Sequence, residues 1–317
     1  MKQTRWLRIT AMLSALALVL AACGGDDDSA DGGDGSLSGI DVTVGSKDFD
    51  EQLVLGNILV QAFEQAGANV EDRVDLGGTQ VARSALESGE IDVYMEYNGT
   101  GWAEHLGNEA APSNDPQTLT EAVREQDLAE NDIHWIGRAP FNNTYGFVSG
   151  PAATEENGGD AYTMQAMADY LEANPDATLC LESEFPSRAD GLVLFEDETG
   201  YEVPDDQIEI LDTGLIYTET ADDSCEFGEV FTTDGRIGGL GLTLVQDPGV
   251  MILYNISMNI RDEKYQEAPD AFDNIADQIL GGLTQEKMTE LNTKVSFEGE
   301  TPEDVAAEYL DDIDFQP

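Results

Sequence analysis

Between Val42 and Thr100 the chain alternates short apolar runs with amphipathic stretches of helical spacing. This pattern predicts strands over 41–46, 70–76 and 91–97, and helices over 50–66 and 79–88. Gly67 and Gly89 follow the two helical stretches, where helices commonly end. Strands that alternate with helices favour a mostly parallel sheet covered by helices. The first third of the chain therefore predicts an α/β fold.

A second set of alternating elements follows a Gly- and Glu-rich gap at 151–160, which we interpret as a boundary. It predicts helices over 164–173 and 191–199, and strands over 178–181, 207–211, 228–231 and 243–246. Outside it lie a polar helical pattern at 104–130, a predicted exposed loop at 140–145, and helical stretches at 272–280, 285–295 and 302–310. Thr284 and Thr301 are predicted N-caps of the last two. We expect two α/β lobes with a ligand between them, at strand ends where helices begin.

The chain is strongly acidic, with 65 Asp and Glu against 14 Lys and Arg and a formal net charge of -51 at pH 7. This balance excludes nucleic acid and anionic membrane surfaces as partners, because binding them needs clustered Lys and Arg. The apolar periodicity argues against disorder, and no DxDxDG loop indicates calcium. A halophilic protein, whose self-repulsion is screened by salt, fits the charge and the low lysine count.

The N-terminus predicts export and lipidation. A basic start and a short apolar run predict a signal peptide over 1–22, since the run is short for a membrane span. Small residues precede Cys23, as in the lipobox of bacterial lipoproteins, so Cys23 is the predicted lipidation site; an ordinary signal with a chance Cys is the alternative. Residues 23–39 are rich in Gly, Asp and Ser, which predicts a flexible acidic tether. We expect a lipid-anchored protein on the outer face of the cell membrane.

Cys180 and Cys225 are the remaining cysteines of a chain expected in an oxidising compartment. A disulfide between them is predicted, with two separate buried thiols as the alternative. Without a His-rich surround they make a poor zinc site, so we expect no metal and no cofactor. His105 and His134 lie far apart, and no Ser-His-Asp set indicates catalysis. The passage 238–241 lacks the Lys and Ser or Thr of a phosphate loop and is interpreted as a tight crossover.

A series of motifs runs through nearly all of the predicted mature chain. They are GSKDFDEQ at 45–52, SGEIDVYMEYNGT at 88–100, APFNNTYGF at 139–147, SEFPSRADGL at 183–192, DTGLIY at 212–217, FTTDGRI at 231–237 and LTQEKMTELNTKVSFEGETPEDVAAEYL at 283–310. Together they resemble the substrate-binding proteins of osmoprotectant ABC transporters, the glycine betaine/choline type. The resemblance implies a type II periplasmic-binding-protein-like fold whose two lobes close on the ligand about a two-strand hinge. We expect lobe 1 over 40–148 plus 250–317 and lobe 2 over 149–249.

A quaternary ammonium ligand places clear demands on such a site. It has no N–H to donate, so it is recognised by shape, by dispersion and by cation–π attraction of roughly 0.5–2 kcal/mol per aromatic contact. By resemblance, Tyr97, Tyr145, Phe231 and Tyr254 occupy the family's aromatic-box positions. The family more usually has Tyr at position 231 and a Pro-rich stretch before position 254, so both regions depart from its pattern. Core packing is the alternative role for each ring.

A betaine also carries a carboxylate, which needs cationic or hydrogen-bonding donors at the other end of the site. Lys47, Arg188 and the Thr100 hydroxyl are the predicted donors. One cation in each lobe would let the ligand favour closure. Asn143 is expected at the rim as donor or acceptor. The alternative for either cation is an ion pair with one of the many carboxylates.

The expected function is an extracytoplasmic receptor that binds a quaternary ammonium compatible solute and passes it to an ABC permease. The two cations favour glycine betaine over choline. Choline, carnitine, ectoine or an amino acid are alternative ligands, and a cell-surface hydrolase or a surface sensor or adhesin are alternative classes. We expect a monomer without catalytic activity.

Overall fold

The computed structural model describes residues 35–108 and 112–317. The predicted signal peptide, Cys23 and most of the predicted tether lie outside the described residues. The strands are β1 (Asp41–Gly45), β2 (Asn69–Arg73), β3 (Val93–Tyr97), β4 (Ile133–Ile136), β5 (Tyr145–Ser149), β6 (Leu179–Leu181), β7 (Ile208–Ile210), β8 (Phe227–Phe231), β9 (Thr243–Leu244) and β10 (Ile256–Arg261).

The helices of the described part are α1 (Asp50–Gln65), α2 (Thr79–Ser88), α3 (Asn98–Thr100), α4 (Pro116–Asn131), α5 (Pro151–Glu156), α6 (Met164–Ala173), α7 (Leu192–Thr199), α8 (Thr213–Ala221), α9 (Arg236–Gly239), α10 (Asp262–Tyr265), α11 (Pro269–Gly282), α12 (Gln285–Ser296) and α13 (Pro302–Asp312). A π-helical turn, Gly101–His105, replaces the start of the helix predicted at 104–130. The predicted boundary at 151–160 begins with helix α5, which Pro151 starts. Thr284 and Thr301 cap α12 and α13 through their side chains, as predicted.

The strands form two five-stranded sheets, which confirms the two-lobed α/β architecture. The first has the order β2-β1-β3-β10-β4 and the second β7-β6-β8-β5-β9. In each sheet four strands run in the same direction, whereas β10 in the first sheet and β5 in the second run antiparallel to both of their neighbours. The strands of each sheet are therefore mostly parallel, as predicted, and the one antiparallel strand, β10 or β5, is the strand that reaches its sheet from the other lobe.

Helix α1 shows how the apolar pattern builds the first lobe. Leu55, Ile58, Leu59 and Phe63 are fully buried, and Phe63 meets Phe272 of α11 edge to face with ring centroids 5.7 Å apart. Strand β3 is buried along its whole length. The core therefore holds β3 and the start of α1 rigidly, and both lead directly into the space between the lobes.

Two chain segments, 137–144 and 245–255, cross between the sheets and hydrogen-bond to each other. The Asn143 amide donates to the Tyr254 carbonyl at 3.1 Å, and the Thr144 hydroxyl donates to the Ile252 carbonyl at 2.8 Å. The predicted exposed loop at 140–145 is wrong: Phe141 is fully buried and Asn143 is 2% exposed. Asn143 is buried, whereas Asn142 and Thr144 are half-buried and bond through their side chains to the second crossing segment.

Two further predictions can be placed on the described residues. Cys180 and Cys225 form a disulfide with a Cα–Cα distance of 6.0 Å, in a small buried cluster with Ile216. The end of the predicted tether is packed rather than flexible, since Leu37 is fully buried and its amide donates to the Ala66 carbonyl. The lobe boundaries at 148/149 and 249/250 stay a prediction; β5, which starts at Tyr145, pairs within the second sheet.

Candidate functional site

A cleft of about 460 Å³ lies between the two sheets. Its wall includes the ends of β1 and β3 and the starts of α1, α2 and α8, whose N-terminal dipoles favour negative charge. Seven of the eight predicted ligand-binding residues line it: Lys47, Tyr97, Thr100, Asn143, Tyr145, Phe231 and Tyr254. Arg188 lies behind the wall and is 4% exposed. The predicted residues therefore meet in one cavity, and their contact with a ligand stays a prediction.

Five aromatic side chains form a closed circuit around this cleft. Following the circuit, neighbouring ring centroids are 6.3 Å apart for Phe49–Tyr97, 6.0 Å for Tyr97–Tyr254, 5.4 Å for Tyr254–Tyr145, 5.3 Å for Tyr145–Phe231 and 4.9 Å for Phe231–Phe49. We call this set of five side chains the aromatic cage. At such spacings the centre of the circuit lies within about 6 Å of every centroid, which is the range of cation–π attraction. The arrangement can hold a compact cation.

Phe49 is the member of the aromatic cage that the sequence prediction missed. It precedes helix α1 as its N-cap residue, in an extended conformation that turns its side chain away from the helix. Its position in GSKDFDEQ, two residues after Lys47, is the signal that could have identified it. The Phe at position 231, which departs from the usual pattern, still completes the circuit because ring stacking needs no hydroxyl.

Lys47 is buried against an acid. Its ammonium nitrogen lies 2.8 Å from Glu96 Oε1 and 5.3 Å from the centroid of Tyr97. Burial alone would raise the pKa of Glu96, but the charge of Lys47 and a hydrogen bond with His105 hold it well below its usual range. The pair is therefore ionised, and Lys47 brings to the cleft hydrogen-bond donors more than net charge.

Arg188 is also paired with a buried acid. Its guanidinium makes a fork with Asp190, at 2.7 Å from Nε to Oδ1 and 2.8 Å from Nη2 to Oδ2. It also contacts Thr79 Oγ1 at 3.3 Å and Thr100 Oγ1 at 3.4 Å, both in the first lobe. Asp190 further accepts a short hydrogen bond from the Tyr254 hydroxyl. Arg188 thus ties the lobes together, with its charge already balanced.

Asn143 lines the cleft, and its side chain is hydrogen-bonded within the protein. Its side-chain amide donates to Glu51 Oε1 at 2.8 Å, and its carbonyl oxygen accepts from the Thr233 amide at 3.3 Å. Both groups of the side chain are therefore used by the protein. We infer that Asn143 fixes the shape of the cleft floor.

A pair of carboxyl groups lies beside the cleft in the second lobe. Glu182 lines the cleft, and its amide donates to Glu229 Oε2 at 2.9 Å. Burial and the neighbouring Glu182 raise the pKa of Glu229 to about 8. Asp48, Glu184 and Asp212 also lie on the wall and make the cleft surroundings negative. That charge favours a ligand with a positive end.

In the described residues no set of three or more His, Cys, Asp or Glu side chains is arranged to hold a metal ion. His105 contacts Glu96 and Tyr94, whereas His134 contacts Asp262 and stacks with Tyr265. The two histidines therefore belong to separate structural networks.

Comparison with known proteins agrees with this geometry. The model of a family described as the substrate-binding domain of ABC-type glycine betaine transport systems matches residues 40–312. The glycine betaine-binding protein YehZ of Escherichia coli K12 is 31% identical over 275 residues, which cover 85% of this chain and 89% of that protein. A glycine-betaine-binding protein of Pseudomonas aeruginosa is 31% identical over 272 residues, which cover 84% and 86%.

Among solved structures, apo YehZ from E. coli superimposes with a TM-score of 0.61 at 30% sequence identity, over 86% of this chain and 98% of that one. The range matched by the family model, residues 40–312, spans both sheets and the positions of the five aromatic residues. The chain belongs to the family of substrate-binding domains of ABC-type glycine betaine transport systems.

Proposed function

We propose that this chain binds a quaternary ammonium solute in the cleft between its lobes and delivers it to the permease of an ABC importer. The aromatic cage is the observation that carries the proposal, because its five ring faces suit a cation that cannot donate a hydrogen bond. Family membership supports the transport role.

We further propose glycine betaine as the preferred solute. Its ammonium would lie inside the aromatic cage. Its carboxylate would contact Lys47, the Thr100 hydroxyl and the N-terminus of α2 at Gly78 and Thr79. Lys47 and Arg188 enter as balanced ion pairs, so a zwitterion without net charge suits them better than an anion does. The two relatives named as glycine betaine-binding proteins support this choice.

Titration calorimetry in molar salt tests the solute. A protein starting near Ser36 keeps the packed turn around Leu37 and should fold. We expect heat of binding from glycine betaine and weaker binding of choline, carnitine, ectoine and free amino acids. Choline binding without any betaine binding at millimolar concentration would contradict the proposed carboxylate end, and binding of none of these ligands would contradict the proposed function.

Catalysis is the alternative that the acidic cleft raises. The carboxyl groups of Glu182 and Glu229 are adjacent, but Glu229 is buried behind the wall and only Glu182 lines the cleft. We propose that the chain has no catalytic activity. Turnover of a glycoside or ester panel that Glu182→Gln abolishes would establish a cell-surface hydrolase instead.

We propose that the mature protein is a monomer anchored to the membrane by lipid on Cys23. None of the helices in the described ranges has the length and hydropathy needed to cross a membrane. In cells, the wild type is expected in the membrane fraction and Cys23→Ala in the medium. Equal membrane association of both would contradict the anchor, and gel filtration of the purified chain at more than its monomer mass would contradict the monomer.

A further inference from the structure

Glu51 is a buried carboxylate directly behind the aromatic cage. It lies in the first turn of α1 and is 3% exposed. Its Oε1 accepts hydrogen bonds from the Tyr97 hydroxyl at 2.7 Å and from Asn143 Nδ2 at 2.8 Å. Its Oε2 accepts from Thr233 Oγ1 at 2.7 Å and from Asn292 Nδ2 at 2.6 Å. Four separate segments of the chain therefore converge on one side chain.

The charge of Glu51 is not balanced by a cation. Glu96 and Asp190 are paired with Lys47 and Arg188, whereas Glu51 makes no ion pair among the described residues. The pKa of Glu51 is raised, because burial outweighs the opposing hydrogen bonds from Asn292, Tyr97, Thr233 and Asn143. Four donors on two oxygens match the acceptor capacity of an ionised carboxylate, which can accept about four hydrogen bonds. A buried charge without a counter-ion is costly unless something else offsets it.

A bound cation would supply that offset. Tyr97 connects Glu51 with the proposed cation site. Its hydroxyl donates to Glu51, and its side-chain ring belongs to the aromatic cage. A phenol that donates to a carboxylate gains electron density on its ring, which strengthens the attraction of its face for a cation. Burial and the charge of Glu51 hold the pKa of Tyr97 well above its usual range, so the phenol keeps its proton and remains the donor.

We propose that Glu51 determines charge specificity, selecting a solute with a positive ammonium over a neutral solute of the same shape by acting through the hydroxyl of Tyr97. The inference rests on the proposed function, since it concerns the same cleft. Glu51 is a positioning residue: it lies behind Tyr97, and it touches the solute only through that ring.

Tyr254 provides an internal comparison. Its hydroxyl also donates to a buried carboxylate, that of Asp190, but the charge of Asp190 is balanced by the forked contact with Arg188. The Lys47 ammonium, 5.3 Å from the Tyr97 centroid, is likewise balanced by Glu96. Glu51 therefore differs from Asp190 and Glu96: it accepts a hydrogen bond from a member of the aromatic cage and has no salt-bridge partner among the described residues.

The test compares choline with 3,3-dimethylbutan-1-ol, in which a carbon atom replaces the ammonium nitrogen. Glu51→Gln keeps the size of the side chain and removes the charge. We expect it to weaken choline by about tenfold, within the range of one cation–π contact, and to change the neutral alcohol by less than about twofold. Glu71→Gln, on the exposed edge strand β2, is the matched control and should leave both affinities unchanged.

Tyr97→Phe keeps the ring and removes the hydroxyl that donates to Glu51, so it tests the same link if Glu51→Gln does not fold. We expect a selective loss for choline here as well. Equal losses for choline and the alcohol in Glu51→Gln, or unchanged choline affinity in either variant, would overturn the proposal. Absence of quaternary ammonium binding by the wild type would instead overturn the proposed function.

Discussion

Replacing Tyr97 with Ala is expected to weaken glycine betaine and choline alike, by about 30- to 100-fold. Tyr97 is 4% exposed and lies at the end of the rigid strand β3. In the aromatic cage its ring stands between those of Phe49 and Tyr254. The substitution removes one cation–π face, worth up to about 2 kcal/mol, together with the apolar contact of the ring with the methyl groups. Titration calorimetry of both ligands measures the loss.

The matched control for this prediction is Tyr265→Ala. Tyr265 stacks with His134 at a centroid distance of 4.1 Å and does not line the cleft. Its replacement should leave both affinities within about twofold while it lowers the melting temperature modestly. If the Tyr97→Ala protein binds choline as well as the wild type does, the ammonium lies outside the aromatic cage.

Replacing Arg188 with Gln is expected to separate the two ends of the solute. The change leaves Asp190 buried without its guanidinium partner, so negative charge appears behind Thr100 where the betaine carboxylate is proposed to bind. We expect betaine to weaken by about 100-fold and choline by less than about threefold. Since breaking a buried ion pair costs about 3–5 kcal/mol, unfolding should also occur at lower denaturant concentration.

The double variant Arg188→Gln with Asp190→Asn removes both charges and identifies the cause. It should recover most of the stability and bring betaine to within about tenfold of the wild type. Betaine as weak in the double variant as in the single one would mean that Arg188 itself holds the carboxylate. Arg261→Gln, which breaks a pair with Asp92 away from the cleft, controls for loss of an arginine.

Local sequence patterns predicted many of the elements close to their observed bounds but missed others, among them helix α8 and strand β10. Helix α2 was predicted at its observed bounds, 79–88, because a strong apolar period is followed by Gly89 in a left-handed conformation. The antiparallel placement of β10 could not be predicted from its own residues. It depends on the chain crossing twice between lobes, which is a property of the whole fold.

The residues that line the cleft were predicted more reliably than the contacts they make, and their role in binding a ligand stays a prediction. Tyr97, Tyr145, Phe231 and Tyr254 line one cleft because the motifs that carry them lie at strand ends or in the crossing segments. The ion pairs of Lys47 and Arg188 were not foreseeable, since Glu96 and Asp190 are two among 65 acidic residues. Only distances in three dimensions identify which carboxylates are partners.

The lobes also touch through protein groups alone. Thr233 of the second lobe donates to Glu51 of the first, and Arg188 contacts Thr100 across the cleft. These contacts involve no solute atom, so they raise the fraction of molecules that are already in the binding-competent arrangement. Apparent affinity scales with that fraction. Evolution can therefore tune how tightly this receptor retains its cargo, and how readily it releases it, at positions that the cargo never meets.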